Sequence, residues 1–142
     1  MYVTRKADYA IRCVLHLSRN TDGIISVDEI SGAMDVPRPF LAKILQRLMK
    51  AGLVSSTRGV KGGFRLARNP EDVNLLDVIE AIQGPSAANV CAIDRKMCSL
   101  SGRCAVHSVW VRIREKAERE LREQNFAKLA RQSRDFPEAS NG

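Results

Sequence analysis

The sequence predicts a mainly α-helical chain with one small β-hairpin wing, arranged as a winged helix-turn-helix domain followed by a long C-terminal dimerisation helix. Three observations support this fold class. Apolar residues recur at helical spacing along most of the 142 residues, a glycine-rich stretch separates two short strand-like segments, and the net charge of +7 is concentrated in the first half. The predicted parts are a winged helix-turn-helix domain over 1–70, a connecting helix over 71–84, a cysteine loop over 85–104, a dimerisation helix over 105–131 and a flexible tail over 132–142.

The composition is that of an ordinary globular protein. Hydrophobic residues make up 44% and charged residues 27% of the chain, which argues against global disorder. No apolar run approaches the ~20 residues that span a bilayer, and the N-terminus lacks the apolar core of a secretory signal. We therefore expect a cytoplasmic protein with no membrane partner, in which cysteines act as thiolates or ligands and not as structural disulfides.

Capping residues define the first three helices. Thr4 is placed to cap a first helix, and an Asn-Thr-Asp-Gly turn follows it. Ser26 opens a short second helix with Glu29 three residues later, which is the capping-box pattern. Pro37 suits the first turn of a third helix, which Gly52 ends. This succession is typical of a helix-turn-helix, although any three-helix core has similar spacing.

The segment after the third helix favours the helix-turn-helix interpretation. Residues 53–57 and 64–67 are predicted to be short strands, and the Arg-Gly-Val-Lys-Gly-Gly stretch of 58–63 joins them. A hairpin in this position is a wing. Its glycines permit positive φ angles and a close approach of backbone to a phosphate chain.

The second half of the chain is predicted to hold two more helices. One covers 75–82, and residues 85–104 then lack a helical period and contain three of the four cysteines. From residue 105 the period returns, with an apolar stripe of Val106, Val109, Trp110, Ile113, Ala117 and Leu121. This helix is longer than a small domain needs, so we expect it to pack against a second copy in a homodimer. The alternative is that it folds back on its own domain.

The charge distribution indicates a nucleic-acid partner. Residues 1–70 hold twelve basic and five acidic side chains, which accounts for the whole net charge of +7. Recognition helices place their N-terminal residues against base edges, and wings contact the backbone or minor groove. The predicted contacts to double-stranded DNA are Arg38, Pro39, Lys43, Gln46 and Arg47 on the third helix, with Ser55, Ser56, Arg58 and Lys61 on the wing.

Three cysteines and a histidine form the candidate metal site. Cys91, Cys98, Cys104 and His107 have the spacing C-x6-C-x5-C-x2-H, which is not the C-x2-C pair of a zinc ribbon or a thioredoxin-like site. Thiolates on one irregular loop are able to converge on an inorganic centre, and an iron–sulfur cluster tolerates one nitrogen ligand. Zinc or a thiol redox switch at the same cysteines is the alternative. Nothing in the sequence places a base and an oxyanion hole around a cysteine, so we do not expect an enzyme.

Two further residues have competing interpretations. Cys13 lies between apolar residues of the first helix, which favours a buried structural thiol over a ligand. Asp8, in the first turn of that helix, complements the helix dipole. In a dimer it could instead reach the cysteine loop of the partner.

The chain resembles the bacterial winged-helix iron–sulfur transcriptional regulators of the IscR and NsrR type. The resemblance covers residues 1 to about 131. It is carried by the segments VTRKADYAIR, LAKILQRLMKAGLVSSTRGVKGGFRLAR and LLDVIEAI, and by the spacing C-x6-C-x5-C-x2-H-x2-W.

The resemblance implies a homodimeric regulator that binds an imperfect palindrome, acts as a repressor, and senses iron, redox state or nitric oxide through a cluster. Cys91, Cys98 and Cys104 match the three cluster cysteines of such regulators. His107 matches the fourth ligand of IscR-like members, whose cluster is [2Fe–2S]. Asp8 matches a carboxylate that crosses the dimer to a [4Fe–4S] cluster in some NsrR-like members. The C-x2-H-x2-W spacing favours His107 and [2Fe–2S].

Overall fold

A computed structural model describes residues 2–134, so most of the tail predicted over 132–142 lies outside the described residues. The helices and strands follow one another in the order α1 (Arg5–Arg19), α2 (Val27–Met34), α3 (Arg38–Lys50), β1 (Val54–Thr57), β2 (Gly63–Leu66), α4 (Leu75–Gln83), α5 (Ala105–Glu123) and α6 (Phe126–Arg134). Short 3-10 turns cover Pro70–Asp72, Val90–Ala92 and Arg95–Met97. The predicted fold class, mainly α with a two-stranded hairpin, is confirmed.

The caps of the first helices form as the sequence predicts. The Thr4 side chain accepts a hydrogen bond from the backbone amide of Ala7, and the Ser26 side chain accepts one from Glu29. Pro37 differs slightly from the prediction, since it is the N-cap of α3 and lies just before its first turn. These local contacts fix the lengths of α1 and α2 and the tight connection into α3.

One apolar core joins the helices of the N-terminal half. The largest fully buried side chains are Phe126 of α6 and residues of α1 to α4 and the segments between them, namely Leu17, Ile30, Leu41, Leu45, Leu48, Val14, Val36, Val73, Val78 and Cys13. The core side of α3 consists of Leu41, Ile44, Leu45 and Leu48. The opposite side of α3 is therefore turned to solvent, as a recognition helix requires.

The wing is an antiparallel hairpin that is pinned to the core. Its register pairs Val54 with Leu66 and Thr57 with Gly63. The backbone of Phe64 also exchanges two hydrogen bonds with Ile25, at 2.9 and 2.8 Å, which attaches the hairpin to the connection between α1 and α2. The wing consequently has a fixed position relative to α3.

The prediction of one continuous helix over 105–131 is wrong. The chain breaks at Gln124 into α5 and α6, because the Gln124 carbonyl accepts from the Leu75 amide at 3.0 Å and the Phe126 amide donates to the Val73 carbonyl at 2.9 Å. These bonds turn the chain back, and the Phe126 side chain enters the core with no exposed surface. Among the described residues, no helix combines the length and apolarity needed to cross a bilayer.

Gly63 is expected to be essential for the attachment of the wing. A Cβ at this position would overlap the backbone of Ile25, whereas a Cβ at Gly23 would meet no atom within 4 Å. Gly63→Ala should therefore lower the free energy of unfolding by about 1–3 kcal/mol. The matched change Gly23→Ala should alter it by less than about 0.5 kcal/mol. Urea denaturation followed by circular dichroism measures both, and equal stabilities would contradict this packing.

Candidate DNA interface and cysteine loop

The recognition helix presents a polar surface on the side away from the core. Pro39, Lys43 and Gln46 are exposed and lie opposite the buried residues of α3. Pro39 occupies the first turn, so the backbone N–H that it lacks would have had no helical partner. A lysine and an amide on an exposed face suit hydrogen bonding to base edges or phosphates.

Arg38, the first residue of α3, is paired within the chain. Its guanidinium lies 3.0 Å from the carboxylate of Asp28 on α2, and about 70% of each side chain is exposed (68% and 71%). An ion pair this exposed contributes little stability, because water and salt screen it. The guanidinium is therefore able to exchange Asp28 for another anion at small cost.

Arg47 differs from the other residues predicted to contact DNA. Its Nη1 donates a hydrogen bond of 2.7 Å to the carbonyl oxygen of Ile82, near the C-terminal end of α4. Carbonyl groups in the last turn of a helix lack helical partners, and a cation there also complements the helix dipole. Arg47 thus holds α4 to α3. The sequence gives no sign of this contact, because its two residues are 35 positions apart.

The wing carries its polar residues on both faces. Ser55 lies opposite Arg65 and Ser56 lies opposite Phe64, so the two predicted serine contacts belong to opposite sides of the hairpin. Arg58 and Lys61 are exposed in the turn. Sequence reasoning missed Arg65, which is exposed beside Ser55, and the alternation of apolar and polar residues along β2 could have identified it.

The cysteine loop places its three thiols in different environments. Cys91 is buried with 6% of its surface exposed, Cys98 is exposed, and Cys104 is half-buried at the N-cap of α5. His107 is half-buried one turn further along. All four cysteines of the chain are free thiols. Within residues 2–134, no three Cys, His, Asp or Glu side chains are grouped closely enough to hold a metal ion.

The donor atoms of the loop nevertheless suit an iron–sulfur cluster or zinc. The Nδ1 atom of His107 is buried and has no hydrogen-bond partner. An orphaned buried nitrogen is unfavourable, and a metal ligand bond would satisfy it. Three thiols and one imidazole are donors that both centres accept. The chemistry of these four side chains therefore fits such a group. In this structure, however, the four side chains do not lie close enough together to hold it.

Asp8 already has a partner within its own helix. Its carboxylate lies 2.9 Å from the guanidinium of Arg12, and Arg12 also lies over the ring of Tyr9 at 5.4 Å from the ring centroid. Reaching a cysteine loop across a dimer would require Asp8 to give up this ion pair. His107 has no such competing contact at Nδ1.

Cys13 and His16 are core residues of α1, as predicted for Cys13. Burial raises the pKa of the Cys13 thiol to about 12, because the thiolate would lose its hydration. Burial also lowers the pKa of His16, and Glu29, whose carboxylate lies 3.8 Å from Nε2, only partly opposes this. Neither residue is a candidate ligand.

Comparison with known proteins identifies the family. The sequence model of the Rrf2 family, described as an iron-dependent transcriptional regulator, matches residues 3–132. A protein of Aquifex aeolicus described as an HTH-type transcriptional regulator is 33% identical over 112 residues, which is 78% of each chain. The HTH-type transcriptional regulator IscR of Photobacterium profundum is 32% identical over 111 residues, which cover 78% of this chain and 64% of that one.

Solved structures confirm the fold. The structure of CymR, the global cysteine regulator of B. subtilis, superposes with a TM-score of 0.77 at 24% identity and covers 93% of this chain and 98% of its own. IscR of T. potens superposes with a TM-score of 0.78 at 24% identity, covering 98% of this chain and 94% of its own. At this level of identity the superpositions establish the winged-helix architecture alone.

Proposed function

The chain belongs to the Rrf2 family of transcriptional regulators, and from that premise we propose that its affinity for DNA is set by an iron–sulfur cluster held in the cysteine loop. Membership of this family establishes that the chain is a DNA-binding transcriptional regulator and not an enzyme. The proposal adds the residues that contact DNA, the form of the assembly and the nature of the sensor.

The observation that carries the DNA-binding part is the exposure of cationic side chains on both α3 and the wing. Lys43 and Gln46 project from the side of α3 opposite the core, and Arg58 and Lys61 are exposed in the wing turn. The bonds between Ile25 and Phe64 fix the wing relative to the helix. We assign Arg38, Pro39, Lys43 and Gln46 to the major groove, and Ser55, Ser56, Arg58, Lys61 and Arg65 to the backbone or minor groove.

The surface of α5 supports a homodimer. None of its residues is buried, and Val106, Val109 and Ile113 of the predicted stripe are 50%, 37% and 41% exposed. An apolar stripe on a 19-residue helix is costly to leave in water and suits a second copy of itself. Two recognition helices would then meet half-sites of a palindrome about one turn of DNA apart.

The four donors Cys91, Cys98, Cys104 and His107 are assigned to the cluster, with [2Fe–2S] favoured over [4Fe–4S]. When bound, the cluster would supply a group whose loss or change reports iron, oxidants or nitric oxide. The orphaned Nδ1 of His107 and the ion pair of Asp8 with Arg12 support histidine as the fourth ligand. Asp8 from the partner subunit stays the alternative.

The route from the loop to DNA runs through the end of α4. The loop begins directly after α4, and Arg47 of the recognition helix binds the carbonyl of Ile82 near that end. A change in the loop that moves the end of α4 therefore also moves α3. A coupling of about 1–3 kcal/mol along this route would alter DNA affinity roughly 5–150-fold.

A thiol redox switch or zinc at the same cysteines is the second candidate. It is favoured by the exposure of Cys98 and by the separation of the three thiols within the described residues. Zinc would leave the purified protein colourless. A thiol switch would produce a mass change that diamide induces and a reductant reverses.

The dimer assignment predicts that Ile113→Glu separates the subunits, because two carboxylates would be buried against apolar surface. Analytical ultracentrifugation should show a dimer for the unmodified chain and a monomer of normal helicity for the variant. Glu115→Lys, at an exposed position on the opposite side of the same helix, is the matched control and should stay dimeric. A variant at position 113 that remains dimeric would place the interface elsewhere.

The DNA assignment predicts different effects for helix and wing. Target duplexes are first selected from a random pool. Arg38→Ala or Lys43→Ala should then reduce discrimination between selected and random duplex by about 1–3 kcal/mol, the cost of a lost base contact. Lys61→Ala should weaken both duplexes alike and lower the salt slope by about one charge. Lys116→Ala is the control outside the surface. If Arg38→Ala, Lys43→Ala and Lys61→Ala have the same effect on both duplexes, the division between base readout and backbone anchoring is incorrect.

The ligand assignment predicts unequal effects of two alanine variants. Anaerobically purified protein should be brown, with about two iron and two sulfide per chain for [2Fe–2S], or about four of each for [4Fe–4S]. The His107→Ala variant should lose most of its iron and sulfide, whereas the Asp8→Ala variant should retain both. The opposite ranking would assign the site to Asp8 of the partner subunit, and colourless protein that takes up no iron would favour zinc or a thiol switch.

A further inference from the structure

We propose that Arg114 is a positioning residue that anchors the Cys91 end of the cysteine loop to α5, in line with His107. The inference rests on the proposed role of these two residues as ligands, and it adds a residue outside the donor set. It derives from the contacts between the loop and the middle of α5.

The Arg114 side chain joins two parts of the structure. Its Nη1 donates to the carbonyl oxygen of Ala92 at 2.6 Å, and its Nε donates to the Glu118 carboxylate at 2.8 Å. Ala92 follows Cys91 directly and ends the 3-10 turn Val90–Ala92, which packs on α5. One guanidinium therefore fixes the peptide next to the Cys91 thiol to the helix.

The surroundings strengthen this clamp. The side chain of Arg114 is 22% exposed and that of Glu118 is 16% exposed, so both charges are largely withdrawn from water. Glu118 also accepts from Arg122 at 3.2 Å, which holds its carboxylate in place. Charge-assisted hydrogen bonds in such surroundings are stronger than exposed ones and more costly to break.

The register of α5 aligns the clamp with the candidate ligand. Arg114 follows His107 by seven residues, which places both within about 20° of the same side of a helix. That side is half-buried at His107, Val111, Arg114 and Glu118. The clamp thus holds Cys91 against the side of α5 that carries the orphaned Nδ1 of His107.

Cys98 forms a natural contrast within the same loop. It is exposed, whereas Cys91 is buried beside the clamp and Cys104 belongs to α5 as its N-cap. Cys104 and His107 belong to α5, and Cys91 is tied to α5 through the Arg114 contact with Ala92, whereas Cys98 is exposed on the loop. Within residues 2–134 these donors are not grouped closely enough to hold a metal ion, so binding requires the loop to rearrange. On this arrangement, weakening Arg114 releases a second donor.

The test measures how fast each thiol reacts. Reduced, chelator-treated full-length chain is pulsed with N-ethylmaleimide, and peptide mass spectrometry reports the labelling rate of each cysteine. Arg114→Met keeps the length of the side chain but removes its donors, and it should raise the Cys91 rate roughly tenfold through local opening. The Cys98 rate should stay the same. Arg112→Met, at an exposed arginine of the same helix, is the matched control and should change neither rate.

Two internal checks keep the result interpretable. Cys13 is fully buried with a pKa raised to about 12, so its labelling reports global unfolding and should stay negligible. If Arg114→Met unfolds the chain, Arg114→Lys replaces it in the test. One ammonium is unable to reproduce both hydrogen bonds, so the Cys91 labelling rate should still exceed that of the unmodified chain, by a smaller factor than for Arg114→Met. A Cys91 rate that is unchanged in a folded variant overturns the proposal.

A second arm separates this inference from the proposed function. Wild type and Arg114→Met are reconstituted with ferrous iron and sulfide, and the loss of visible absorption is followed after addition of a chelator. The variant should lose its absorption about fivefold faster or more, because one donor is no longer held in place. Equal loss rates would overturn the positioning role. If wild type takes up no iron and sulfide, the proposed function fails, and the Cys91 labelling rates still decide whether Arg114 is the anchor.

Discussion

The end of α4 is the point at which the separate parts of the chain are tied together. Arg47 of the recognition helix binds the carbonyl of Ile82, and the Gln83 side-chain amide accepts from the Thr4 backbone and donates to the Tyr2 carbonyl. The next residue, Gly84, has a φ of 72°, which ends the helix and starts the cysteine loop. Polar contacts at one helix end thus connect α3 to the cysteine loop that we propose as the sensor.

This arrangement explains why a small core is sufficient for a two-part function. Helices α1, α3 and α4 form one packed unit, and α6 returns to it through Phe126. Helix α5 is left outside the core and exposes Val106, Val109 and Ile113, whereas the rest of the predicted stripe is half-buried. The 3-10 turn Val90–Ala92 of the cysteine loop packs on this helix. The proposed dimer surface therefore shares a helix with His107, and Cys104 is the N-cap of that helix. On this proposal, a change at the ligands would act on both the subunit interface and the end of α4.

The features that the sequence predicted correctly are local ones. Caps at Thr4 and Ser26 and the apolar side of α3 depend on residues three or four positions apart, so their patterns are readable in the chain. The break at Gln124 was missed although a local signal exists, since Asn125 is a strong N-cap type and its Oδ1 accepts from the Lys128 amide at the start of α6. The direction of the chain at the break depends on backbone bonds to Val73 and Leu75, which no local pattern reveals.

The candidate site divides in the same way. The exposure of Lys43 and Lys61 and the burial of Cys13 follow from periodicity and composition. The contacts of Arg47 and Arg114 do not, because their partner carbonyls lie 35 and 22 positions away. Long polar side chains are given a partner by tertiary structure, and a sequence pattern records only that they are not core residues.

The most direct test of this account is the coupling between the cysteine loop and DNA in Arg47→Met. Affinity for a selected duplex is measured anaerobically by fluorescence anisotropy, for iron- and sulfide-loaded and chelator-treated protein. The account predicts a ratio of the two affinities between about 5 and 150 for the unmodified chain. It predicts a ratio near one for Arg47→Met, in a variant that still binds DNA. Two results would contradict this mechanism. One is an Arg47→Met variant that keeps the full ratio, and the other is an unmodified chain whose DNA affinity is the same with and without iron and sulfide.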